Sequence, residues 1–220
     1  MIGCSKNSER VKNIDPVEMK ARIINDPDFK EYIQTISLIK DKQESFTSNP
    51  FLDQEVSLNY QDERSFINDF KDAIANNDLQ KKRKVASFLG FDNYQTFYLL
   101  REKANYSFQQ LMKKYDFKQI SKATWHNIVV ESLKSNRSFT LVSGTSKNDE
   151  CLDDLAACND EALAVYSLEA LGCVGWGSLG WTVIGGIAFL GCEGGALYHL
   201  KTMRRKCNTE YANCVKSVKH

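Results

Sequence analysis

Six of the seven cysteines lie between residues 151 and 214, and their spacing is a palindrome. From Cys151 the steps to Cys158, Cys173, Cys192, Cys207 and Cys214 are 7, 15, 19, 15 and 7 residues. The chemistry open to such a set is thiol oxidation. Six cysteines allow many pairings in principle, but mirror spacing selects Cys151–Cys214, Cys158–Cys207 and Cys173–Cys192, nested as rungs between two antiparallel arms. Helical arms bring the rungs into line. At about 100° per residue, a step of 7 returns to within roughly 20° of its start and a step of 15 lands roughly 60° away. The three cysteines of each arm then share one narrow stripe, most of it small or aliphatic. In the first arm it includes Leu155, Ala162, Val165, Tyr166 and Glu169; their mirror positions are Glu210, Met203, Leu200, His199 and Ala196.

The reversal must fall near residues 182–183. Nine of the twelve glycines stand between Gly172 and Gly195, and no residue from Ala170 to Cys192 is charged. Such a run is long enough for a membrane-crossing helix. A straight helix, however, would hold Cys173 and Cys192 roughly 28 Å apart, whereas a disulfide needs α-carbons within about 7 Å. A hairpin satisfies the spacing, with Trp176, Trp181, Val183, Ile184, Ile187 and Phe189 at its apolar tip. Lys201, Arg204, Arg205 and Lys206 flank that tip on one arm, a combination suited to a membrane surface.

Other chemistry is poorly provided for. Gly175-x-Gly177-x-x-Gly180 matches a dinucleotide fingerprint only formally, since no strand precedes it, and packing is the better reading. His126, His199 and His220 have no metal-ligand spacing, and Cys-x-x-Cys pairs are absent. No triad, carboxylate pair or phosphate loop can be assembled, so the expectation is a non-enzymatic chain without cofactor or metal. His199 lies one turn from Glu169 across the seam, where the two either satisfy each other or form a pH switch. Lys81-Lys82-Arg83-Lys84 follows an acidic stretch and reads as a solvated helix face. The net charge of +1, from 29 basic and 28 acidic residues, gives no footprint for nucleic acid. No small-molecule substrate is evident either.

The rest of the chain must position this hairpin. Residues 1–15 read as a tether. Residues 16–136 read as a helical domain of five to seven short amphipathic helices. Asp15-Pro16 and Asp26-Pro27 mark helix starts, a further helix begins near Asp62, and Gly90 is a stop. Residues 43–60 read as a loop, Ser138–Val142 as the one candidate strand, and 137–150 as a linker. The fold class expected is all-α: an N-terminal helical bundle, then a disulfide-laced antiparallel helical hairpin over 151–220.

Paired cysteines at this density point to an oxidising, extracytoplasmic compartment; a cytosolic chain with seven reduced thiols is the competing reading. The opening Ile2-Gly3-Cys4-Ser5 resembles the end of a bacterial lipoprotein signal with its earlier part missing. That resemblance implies lipidation of Cys4, the one cysteine left over, although a free thiol is the plain alternative. The hairpin, about a third of the chain, also resembles halocin-type bacteriocin-like domains. Those too have cysteine-rich helices around a glycine-rich apolar centre. The present sequence has fewer cysteines, no adjacent pairs of them, and longer charged arm ends. The two resemblances imply a cell-envelope or secreted protein whose partner is a membrane surface or an envelope protein. The alternative is a scaffolding module with its tip packed internally or on a protein partner.

Overall fold

A computed structural model of the chain describes residues 15–47, 60–137, 147–177 and 183–218. Among them are eight α-helices and no strand. They are α1 (Pro16–Asn25), α2 (Pro27–Thr47), α3 (Glu63–Ala75), α4 (Leu79–Leu89), α5 (Tyr94–Lys114), α6 (Lys122–Arg137), α7 (Lys147–Gly177) and α8 (Val183–Val218). A short 3₁₀ turn, Phe117–Gln119, joins α5 to α6.

Local chemistry explains most of the boundaries. Asp15 caps α1 by accepting from the Val17 amide at 3.0 Å, with proline in the first turn, where its missing N–H costs nothing. Asp26 repeats this for α2, accepting from Asp28 N at 2.8 Å. Asp62, Asp78 and Asn93 cap α3, α4 and α5 in the same way. Gly90 ends α4 at φ 83°, a left-handed conformation that glycine adopts without side-chain strain. The apolar runs around Tyr94 and Phe108 lie on one continuous helix, α5.

Two aromatic clusters anchor the interior. Trp125 of α6, fully buried, lies against Phe29, Tyr32, Phe108 and Phe117. Tyr60, Phe66 and Phe88 pack on one another, and Phe66 and Phe88 reach Tyr198 of α8. Helices α7 and α8 run antiparallel and bury Ala162, Leu163, Tyr166, Ala196, Leu197 and Leu200 in the same core as the front helices. The described front helices and the hairpin therefore share one core. Helix α7 also begins at Lys147, ahead of the first hairpin cysteine. The candidate strand Ser138–Val142 lies outside the described residues.

Candidate functional site

All three mirrored pairs are disulfides. The α-carbons are 5.8 Å apart in Cys151–Cys214, 5.7 Å in Cys158–Cys207 and 5.5 Å in Cys173–Cys192. These separations lie in the ordinary range for disulfides, so the two helical arms bring each mirrored pair within bonding reach. Such bonds are the chemistry of an oxidising compartment. No described helix is long and apolar enough to cross a membrane.

The hairpin is fastened to the front helices by polar contacts buried inside the core. Arg101 of α5 and Glu193 of α8 are each almost fully buried. Arg101 Nε donates to Glu193 Oε1 at 2.7 Å, and a second guanidinium nitrogen binds Glu193 Oε2. Asn105 Nδ2 also donates to Glu193 Oε1, at 3.1 Å. Burial alone pushes the Arg101 guanidinium down, and the facing Glu193 carboxylate more than reverses this, holding the charged form. Tyr166 stands nearby, its phenol pushed up first by burial and then by Glu193.

A second fastening lies on α7. Trp125 Nε1 and Tyr32 OH both donate to Ser167 Oγ, each at 3.0 Å. One hydroxyl therefore ties α6 and α2 to the hairpin. Nearer the surface, His126 Nε2 meets Glu161 Oε1 at 2.8 Å. The seam expected between His199 and Glu169 is present, with Nδ1 to Oε1 at 2.9 Å. Glu63 of α3 joins it from the other side of the ring, Oε2 to Nε2 at 3.5 Å.

Glycine permits this docking. A Cβ on Gly194 would lie 3.1 Å from Phe70 Cδ1 and 3.4 Å from Ile67 Cγ1, and one on Gly195 3.0 Å from Glu63 Oε1. Gly194 and Gly195 of α8 thus face α3, where backbone and side chains meet closely.

The candidate tip is only partly described. Trp181 lies outside the described residues, as do the side chains of Trp176, Val183, Ile184 and Ile187. Phe189 is half-buried and lines a very small internal cavity with Tyr166, Cys173 and Glu193. Cys4 also lies outside the described residues.

The basic run is a correction. Lys201 and Arg204 are buried, at 9% and 5% exposure. Arg204 Nε donates to Asn159 Oδ1 at 3.1 Å, and Arg205 stacks over the Phe88 ring at 5.3 Å. Lys206 points outward, its side chain 78% exposed. The four do not form one outward cationic patch. Residues three apart share a helix face, so Lys201 and Arg204 turn inward together while their neighbours rotate out.

In the run at residues 81–84 only Arg83 is exposed; Lys81, Lys82 and Lys84 are part-buried. Lys81 pairs with Asp72, and Lys84 with Asp69 at 2.7 Å. Gly175 and Gly177 end α7 rather than opening a helix, which does not fit phosphate binding at a helix start.

Arg101 and Glu193 were missed as site residues, though both leave a signal. Arg101 falls among Phe97, Ala104 and Phe108, the buried face of α5. Glu193 is the first charge after the uncharged run and is followed by Gly194-Gly195. No group of histidine, cysteine and acidic side chains among the described residues could hold a metal ion. Comparison with protein-family models, with curated proteins and with solved structures returns no match.

Proposed function

We propose that the chain is a non-enzymatic, extracytoplasmic interaction module of the bacterial cell envelope, anchored through a lipid on Cys4. Its hairpin shank is fastened to the helical body, and the uncharged tryptophan- and glycine-rich tip is the binding element. The carrying observation is the buried Arg101–Glu193 pair, which joins α8 to α5 inside a common core. Separating the two would leave a charge buried without its partner, at a cost of about 3–5 kcal/mol. A fastened shank suits a module that presents one end to a partner, and it suits a tail that must detach to act less well. The inward turn of Lys201 and Arg204 weakens the electrostatic case for a lipid surface, so an envelope protein is the favoured partner.

The test is site-specific photo-crosslinking from position 181 in the full-length, oxidised protein held in its native envelope. The module reading expects one discrete protein adduct. The bacteriocin-like reading, motivated by the same tryptophans and glycines, expects lipid adducts and dye release from liposomes by the full-length protein. Lipid adducts together with release would overturn the module reading.

A further inference from the structure

His199 sits where three helices meet, and each of its ring nitrogens is aimed at a carboxylate. Nδ1 is 2.9 Å from Glu169 of α7, and Nε2 is 3.5 Å from Glu63 of α3. A neutral imidazole has one N–H and one lone pair, so it can donate to only one of them. The other nitrogen would then present its lone pair to an anion. Only the imidazolium satisfies both sides. We propose that His199 is a proton-operated clamp holding the hairpin to α3, closed when the ring is charged and loosened when it is neutral.

The surroundings sharpen the contrast between the two states. Glu169 Oε2 is buried without a hydrogen-bond partner, so this carboxylate depends on the adjacent cation for compensation. Glu63 stands in the first turn of α3. The charged groups acting on the ring from the packed helices are these two carboxylates. Helix α4 contributes Phe88, stacked on the neighbouring Tyr198. On α8 itself, Lys201 and Arg204 are turned into the core. The Glu169 hydrogen bond and both carboxylates raise the His199 pKa against a smaller opposing effect of burial. Because the folded value lies above the unfolded one, the clamp's contribution is complete below the ordinary imidazole pKa. It is lost as pH rises through the folded value.

The ion pairs lie at the part-exposed edge of the α3–α8 seam, whose interior holds Phe66 against Tyr198. Gly194 and Gly195 offer no side chains to interlock with Ile67 and Phe70. The α3–α4 pair is held together separately by Lys81 and Lys84 on Asp69 and Asp72. The α8–α5 contact through Arg101 does not titrate in the same range, and the three disulfides are indifferent to a single proton. The device therefore acts on the α3–α8 seam alone, independently of what the tip binds.

The experiment is hydrogen exchange on the full-length, oxidised protein, corrected for intrinsic rates, from about pH 6 to about pH 8.5 to bracket imidazole titration. Opening of α3 amides is expected to increase by about two- to fivefold over this range, the scale of a partly exposed ion pair. Amides of α6 should stay flat. His199→Gln should abolish the α3 response. Should that variant fail to fold, Glu63→Gln removes the α3 side of the clamp alone and should also abolish it. A wild-type α3 response no different from that of α6 would overturn the proposal, as would persistence of the response in either folded variant.

Discussion

Arg101 and Glu193, separated by 92 residues in the chain, meet in the core through two guanidinium contacts, one of them 2.7 Å long. The pair belongs to neither the front helices nor the hairpin alone. It makes them one folded body, and its removal has an asymmetric cost.

Glu193→Gln leaves the buried Arg101 cation with only the half-exposed Glu102 as charge partner and is expected to destabilise the oxidised protein by up to about 3–5 kcal/mol. Replacing both residues together, Arg101→Met with Glu193→Leu, should recover most of that loss, because paired apolar groups need no compensation. Denaturant unfolding of the two variants measures the difference directly.

Two glycines give opposite predictions. Gly194→Val drives a branched side chain into Phe70 and Ile67 and should cost about 1–3 kcal/mol by overpacking the α3–α8 contact. Gly172 has nothing within 4 Å of where a Cβ would sit. Gly172→Ala, in the helical α7, should therefore stabilise the fold by about 0.5–1 kcal/mol. Thermal melts under non-reducing conditions test both.

Ser167→Ala removes the common acceptor of Trp125 and Tyr32, two nearly or fully buried side chains. Each orphaned donor is expected to cost about 1–3 kcal/mol. Adding Tyr32→Phe to Ser167→Ala should recover the share due to the phenol. The near-ultraviolet signal of Trp125 should change in Ser167→Ala while the helical signal stays constant.

Much of this architecture can be read from single residues because its causes are local. A capping aspartate before proline acts within one turn, as at Asp15 and Asp26. Mirrored cysteines carry their partner's position in their own spacing. What resisted reading depends on how one helix is rotated against another. Lys201 through Lys206 look like one cationic cluster in linear order, yet the packing of α8 buries Lys201 and Arg204 and leaves Lys206 outside. Glycine density near the reversal suits close helix contact but does not name the partner helix. Gly194 and Gly195 face α3, a partner more than a hundred residues earlier in the chain. The Arg101–Glu193 pair leaves a trace in each helix, but the match between them exists only after folding.

A disulfide stabilises chiefly by limiting the unfolded chain, by about 3 kcal/mol for the 19-residue separation of Cys173–Cys192. Removing Cys173–Cys192 by a double serine substitution should therefore cost up to about that much. The outer rungs should remain intact, since Cys151–Cys214 and Cys158–Cys207 close on their own helical register. Melting with and without reductant would show a smaller reductant effect in that variant than in the parent protein.

Mass mapping of peptides released without reduction tests the fold-back of the tail most directly. Cross-linked fragments joining 151 to 214, 158 to 207 and 173 to 192, and no other combination, are the predicted result. Free thiols at these positions, or any crossed pairing such as 158 with 192, would contradict the nested hairpin and the oxidising compartment inferred from it.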